Sequence, residues 1–281
     1  MPRARLLKIG LVGVVGSYAL VCLLAALFYS YALFPAPRLD AVPPAITAMC
    51  GADAELLELP HGAGAHTHAF YIHPPPGGRI IVLFHGNGET MFSDVPLAQV
   101  LRERGLGTML VEYPGYGIAH GAPPSEDAIY TDAETALAHL EASVSRERIV
   151  LWGKSLGTGV AAEMARRGHG SRMVLLAPYT SITDMGRHTT PFLPASLLMH
   201  HHFDTVGKAK AITIPTLVVH GDADEVIPFT MGEAVAKAIA GATFVRVAGA
   251  HHNDLLSLRS GASRPSPEEL LTAVIAHASA R

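Results

Sequence analysis

Residues 9–34 contain no charged side chain, and 21 of these 26 residues are hydrophobic. As a helix rising about 1.5 Å per residue, the run reaches roughly 39 Å, more than the ~30 Å hydrocarbon core of a bilayer. Such a segment cannot serve as the surface of a soluble domain, so the chain divides into a membrane-type helix and whatever follows it. The composition agrees. Only 16% of the 281 residues are charged, against about 25% in ordinary soluble domains. With the run set aside, about 46% of the remainder is hydrophobic, an ordinary globular fraction.

A cleaved secretory signal has an apolar stretch of roughly 7–15 residues and a small-residue exit. This run is longer and leaves through Leu33-Phe34-Pro35-Ala36-Pro37, which favours an uncleaved signal-anchor. Arg3, Arg5 and Lys8 precede it, only Arg38 follows closely, and the first acidic residue is Asp40. The positive-inside rule then keeps residues 1–8 in the cytoplasm and puts the rest outside, on the periplasmic side of a bacterial inner membrane. The expected organisation is a cytoplasmic stretch (1–8), a transmembrane anchor (9–34), a proline-bearing linker (35–54) and one folded domain (55–281). Beyond the anchor, residues 39–281 hold 17 basic against 24 acidic side chains, a net charge of −7. With no basic stripe, nucleic acid is not an expected partner. Cys22 lies in the apolar run and Cys50 is alone in the domain, so no intramolecular disulfide is expected.

Within the domain, short apolar runs alternate with amphipathic stretches. Strands are expected at 56–60, 67–73, 80–85, 108–113, 148–153, 173–177, 215–220 and 243–248. Several are continuous Val/Ile/Leu runs, as in strands buried on both faces of a parallel sheet, and the two leading strands are more polar and suit an edge. Helices are expected near 95–104, 125–143, 155–167, 230–240 and 267–278. This alternation specifies a doubly wound α/β sheet, mostly parallel and eight-stranded, with helices on both faces. The connection at 178–214 is longer than a crossover needs, and its surplus suits a short cap.

Gly153-Lys154-Ser155-Leu156-Gly157 fits the G-x-S-x-G elbow, in which a serine stands on a tight strand-to-helix turn; Arg148-Ile149-Val150-Leu151-Trp152 supplies the strand and Thr158 onward the helix. A serine hydroxyl becomes a useful nucleophile only when a base takes its proton and a carboxylate holds that base in the right tautomer. In an elbow fold the acid and then the histidine follow in chain order. The acid is offered by Gly221-Asp222-Ala223-Asp224-Glu225, where Asp224 is preferred at the loop tip and Asp222 suits the turn itself, with Glu225 also present. His251 or His252 offers the base; His252 is favoured, although spacing alone leaves both open. For the oxyanion, the turn His85-Gly86-Asn87-Gly88 after a strand suggests the Asn87 amide, with Gly88 in reserve, alongside the amide of Leu156.

Taken together, His85-Gly86-Asn87-Gly88, Glu112-Tyr113-Pro114-Gly115-Tyr116-Gly117, Pro124-Ser125-Glu126, Gly153-Lys154-Ser155-Leu156-Gly157, Ala177-Pro178-Tyr179-Thr180-Ser181, His220-Gly221-Asp222-Ala223-Asp224 and His252-Asn253-Asp254 resemble the α/β-hydrolase superfamily. Within it, they are similar to the membrane-anchored serine hydrolase branch that includes eukaryotic protein depalmitoylases, a lysophospholipid lipase and many bacterial members. The likeness runs from about residue 33 to the C-terminus. It implies an α/β-hydrolase fold with Ser155, Asp224 and His252 as the triad. The family's Tyr-x-Gly-Tyr-Gly segment usually continues into Ser-x-Gly, where this chain has Ile118-Ala119-His120-Gly121.

The expected activity is hydrolysis of a carboxylic ester or thioester of an acyl or lipid-like small molecule, through an acyl-enzyme and without cofactor or metal. An exopeptidase or amidase using the same residues is the alternative, and a non-catalytic membrane-tethered binding protein a weaker one. His200-His201-His202 and the group His61, His66, His68 and His73 lack the spacing of a metal site and suit solvated loop or strand-face positions. Glu126, Asp127, Asp132 and Glu134 suit a solvated helix face. Apolar cap residues, among them Met185, Phe192, Leu198 and Met199, suit either an acyl pocket and bilayer contact or simple packing of a crossover helix.

Overall fold

The computed structural model describes residues 2–50, 54–62, 64–256 and 264–280, with backbone alone at 2–7 and 9. The side chains of Arg3 and Arg5 and positions 51–53 of the expected linker therefore lie outside the described residues.

Eight strands form one sheet: β1 Ala54–His61, β2 Ala65–Ile72, β3 Ile80–Phe84, β4 Gly107–Val111, β5 Ile149–Lys154, β6 Arg172–Leu176, β7 Thr216–Gly221 and β8 Thr243–Val247. Their spatial order is β1-β2-β4-β3-β5-β6-β7-β8. β1 pairs antiparallel with β2, and β2 with β4, while every other pairing is parallel. The polar leading strands thus sit at one edge, as their composition predicts. β3 and β4 are buried throughout, in keeping with their unbroken apolar sequences.

The alternation along β3 divides the core in two. Ile80, Val82 and Phe84 face the layer that holds α4 (Glu126–Glu141), α5 (Leu156–Arg166) and α9 (Phe229–Ala238). Ile81 and Leu83 face α3 (Val95–Glu103) and α10 (Pro267–Ser279). Ser125 caps α4 by accepting from the Ala128 amide, and a reciprocal Ser266–Glu269 capping box starts α10.

The apolar run forms the helix α1, Pro2–Leu33, which begins upstream of the predicted segment; Gly10–Leu33 is long and apolar enough to cross a membrane. Residues 35–54 carry more structure than a linker composition suggests. Pro37 and Leu39 exchange backbone hydrogen bonds with Gly117, and the helix α2, Pro44–Cys50, follows. Leu39, Val42 and Ile46 pack against the α3/α10 layer, which seats the segment on the domain. The 178–214 connection holds three short helices, α6 Ile182–Thr189, α7 Ala195–Leu198 and α8 Thr205–Lys208.

Two polar expectations are corrected. Asp132 is not solvated: it is 2% exposed and bonded to Thr67 Oγ1 and His61 Nε2, because α4 turns it toward β1 and β2. His201 is also buried, packed between Tyr29 and Phe34 at the end of α1.

Candidate active site

β5 ends at Lys154 and α5 begins at Leu156, leaving Ser155 between them at φ 51° and ψ −118°. A positive φ in a residue with a Cβ is strained and persists only where the surroundings impose it. Here they do. A Cβ on Gly153 would lie 2.4 Å from the Gly157 carbonyl oxygen, and one on Gly157 only 2.0 Å from that of Phe84. The two glycines of the motif let strand, turn and helix approach this closely, and Ser155 is presented at the C-terminal edge of the sheet as a result.

His252, in the turn after β8, points one ring nitrogen at the serine: Nε2 is 3.1 Å from Ser155 Oγ. Its Nδ1 is 2.8 Å from Asp224 Oδ2. Since a carboxylate only accepts, Nδ1–H donates to Asp224, and Nε2 is left as an acceptor for the serine O–H. Asp224 is held on its other oxygen by the amides of Val226 and Ile227, at 2.9 and 2.8 Å. Burial alone would raise its pKa. Hydrogen bonds from His220, His252 and the Ile227 amide outweigh that and hold the carboxyl well below the usual carboxylate range.

The neighbouring candidates have other partners. Asp222 accepts from the Gly249 amide at 2.7 Å and pairs with Arg246, tying the acid loop to the histidine loop. Glu225 and His251 pair with each other at 3.0 Å on the exposed side of the same loops. Spacing left the choice between His251 and His252 open; the His252 ring faces Ser155 and the His251 ring faces Glu225.

The turn after β3 rests on a buried pair: His85 Nε2 is 2.9 Å from Glu112 Oε1, and both side chains are inaccessible. Glu112 also accepts from the amides of Met91 and Tyr113. Gly86 donates to Glu89, which pairs with Lys154 of the serine elbow. Asn87 and Leu156 line the same cavity as Ser155. His85, Glu112 and His220, which brace the turns around Ser155 and Asp224, were given no role in the sequence reading; the available signal was a charged or imidazole side chain at the end of each otherwise apolar strand.

That cavity has a volume of about 510 Å³. Cap side chains such as Met185, Leu198 and Met199 form one wall, and Ala25, Phe28, Tyr29 and Ala32 of α1 form another. A second cavity, about 650 Å³, lies behind His252 against Trp152 and α3 and is lined without Ser155 among the described residues. Among the described residues no group of three His, Cys, Asp or Glu side chains is arranged to hold a metal ion. The first arrangement is chemically suited to acyl transfer: a hydroxyl, an imidazole within hydrogen-bond reach of it, an orienting carboxylate, and Asn87 and Leu156 beside them in one apolar chamber.

The chain is similar to known proteins in sequence and in fold. Residues 76–203 match the family model described as serine aminopeptidase, S33. An uncharacterised Mycobacterium tuberculosis protein is 33% identical over 180 residues, 63% of this chain and 64% of that protein. The alpha/beta hydrolase domain-containing protein 17C of Xenopus tropicalis is 32% identical over 203 residues, 68% of this chain and 62% of its own length. The chain thus spans just under two thirds of these relatives. In three dimensions it is similar to an esterase from Pyrococcus furiosus, with a TM-score of 0.68 at 14% identity, covering 85% of this chain and 96% of that one. The esterase Est1E from Butyrivibrio proteoclasticus gives a TM-score of 0.59 at 18% identity, covering 79% and 98%.

Proposed function

Since the chain belongs to the α/β-hydrolase superfamily, we propose that it is a membrane-anchored serine hydrolase that cleaves carboxylic esters or thioesters of acyl or lipid-like molecules. The observation that carries this reading is the continuous hydrogen-bonded line Asp224–His252–Ser155, ending at a serine held at positive φ inside an apolar cavity.

His252 takes the Ser155 proton as Oγ attacks the acyl carbonyl. The amides of Asn87 and Leu156 hold the tetrahedral oxyanion, and Asp224 stabilises the imidazolium that forms. His252 then returns the proton to the leaving alkoxide or thiolate. Water, deprotonated by the same imidazole, attacks the acyl-serine; the carboxylic acid leaves and Ser155 regains its proton.

We read α1 as a retained anchor with the domain outside the cytoplasm. Retention is supported by the bonds α1 makes to the domain: Asn87 Nδ2 donates to the Leu33 carbonyl at 2.5 Å, and Phe34 is buried in the core. Cleavage before the domain would remove one wall of the Ser155 cavity. Amide cleavage is the second reading, favoured by the family model's description as a serine aminopeptidase.

Purified full-length protein, assayed on p-nitrophenyl butyrate, an S-acyl thioester and an aminoacyl p-nitroanilide, separates these readings. Ester or thioester turnover that falls at least ~10³-fold in Ser155→Ala supports the proposal. Turnover of the anilide alone favours the amidase reading, and turnover of none by a folded wild type favours a binding protein.

A further inference from the structure

We propose that α1 is itself part of the substrate site: a long acyl chain lies between α1 and the cap, with its ester at Ser155, and enters sideways from the bilayer. This rests on the hydrolase reading above and names the path and the residues that hold the substrate.

Ala25, Phe28, Tyr29, Ala32 and Leu33 recur at spacings of three and four, so they form one face of α1, and all five line the cavity that contains Ser155. Two of the five are alanines, which leave a groove between the larger side chains. The facing wall is apolar as well, with Ile182, Met185, Leu193, Leu198 and Met199. Ser155, Asn87 and Leu156 sit at one end of this chamber, as an acyl chain with a single reactive head requires.

α1 is fixed against the cap along its C-terminal half. Tyr18 Oη donates to the Phe192 carbonyl at 2.8 Å, and Tyr29 Oη accepts from the amides of His200 and His201 at 2.8 and 3.1 Å. Between Tyr18 and Leu33 the helix advances about 22 Å. A cap that accompanies a membrane-crossing helix over that distance lies within the bilayer rather than above it. Its surface is apolar around α7, where Phe192 is 66% exposed and Leu197 is 83% exposed, and carries the Arg187–Asp184 ion pair on α6. The cavity then opens onto lipid tails, and a chain reaches Ser155 without crossing water.

Two measurements on the full-length protein in phosphatidylcholine vesicles test this. First, kcat/KM is compared for p-nitrophenyl esters with acyl chains of four and sixteen carbons in wild type, Ala25→Trp, Ala32→Trp and Leu27→Trp. A sixteen-carbon chain reaches the α1 wall of the cavity where a four-carbon chain stays near Ser155, so only the longer ester reads changes at that wall. Tryptophan at 25 or 32 is expected to lower the long-to-short ratio at least tenfold, whereas Leu27→Trp, on α1 but outside the cavity wall, keeps the wild-type ratio. Second, a long-chain alkyl fluorophosphonate carrying a mid-chain diazirine is attached to wild-type Ser155 and irradiated. Crosslinks are expected within residues 25–33 and the cap. An active enzyme whose Ala25→Trp and Ala32→Trp variants keep the wild-type ratio, or crosslinks that spare α1, overturn this inference alone. A folded wild type that hydrolyses neither ester overturns the hydrolase reading, and this inference falls with it.

Discussion

His220 Nε2 lies 3.3 Å from the same Asp224 oxygen that His252 engages, and 3.1 Å from the Ile227 carbonyl. Both partners are acceptors, so Nε2 carries the proton and His220 donates to the same carboxylate oxygen that faces His252. Space for the ring depends on Gly232, where a Cβ would lie 2.1 Å from His220 Nδ1. Removing the brace is expected to leave KM nearly unchanged and reduce kcat roughly 10-fold or more, the usual range for a group that orients a catalytic partner. His220→Leu and His220→Gln are compared in steady-state ester hydrolysis; glutamine, which keeps an N–H, is expected to restore most of the loss. Equal losses in both would show that packing, not the hydrogen bond, matters.

The depressed pKa of Asp224 makes its contribution to stability depend on pH. A carboxyl whose folded pKa is below its unfolded value stabilises the fold above the unfolded pKa, near ~3.9, and loses that contribution as pH falls toward the folded value. The Tm gap between wild type and Asp224→Asn is expected to be full at neutral pH and to narrow below about pH 4. Thermal unfolding in detergent over a pH series measures it.

His85 works in the opposite direction. Its Nδ1 faces the Gly86 carbonyl and its Nε2 faces Glu112, each at 2.9 Å, so both nitrogens donate and the ring is charged. Burial opposes that charge, but the Glu112 carboxylate and the Gly86 carbonyl outweigh it and raise the pKa. The pair's contribution is therefore complete below the unfolded histidine pKa, near ~6.5, and is lost as pH rises through the folded value. Removing the carboxylate with Glu112→Ala leaves a buried partner unmatched, at a cost of about 3–5 kcal/mol. Tm is expected to fall by roughly 6–20 °C at pH 6, with a smaller difference at alkaline pH.

Gly157→Ala tests the elbow's packing. The added methyl would meet the Phe84 carbonyl at 2.0 Å, at the end of the strand that leads to Asn87. Overpacking of this kind costs about 1–3 kcal/mol. Both Tm and ester turnover are expected to fall, and unchanged values would mean that the close approach of α5 to β3 is not needed.

The residues that made the fold legible were those whose local chemistry leaves little choice. Unbroken apolar runs such as Ile80-Ile81-Val82-Leu83-Phe84 suit only a doubly covered strand, and Gly153 and Gly157 around Ser155 suit only a tight crossing. Asp224 was distinguishable from Asp222 by its position on the turn. Spacing alone left His251 and His252 open, because adjacent residues differ only in the direction each ring faces, and the resemblance favoured His252. Long-range partners were also hidden. Nothing local to α4 shows that Asp132 meets His61 and Thr67, and nothing local to the apolar run shows that Ala25 and Ala32 face Ser155. The first relationship arises when α4 packs on β1 and β2, the second when the cap lies along α1.

The most direct measurement is intact-mass and peptide-level analysis of the full-length protein after exposure to a fluorophosphonate. The expected result is one stoichiometric adduct on Ser155, formed with neither Ser155→Ala nor acid-unfolded protein, and formed at least ~10²-fold more slowly in His252→Ala. A folded wild type that stays unmodified, or that carries its adduct on another serine, would contradict Ser155 as the nucleophile.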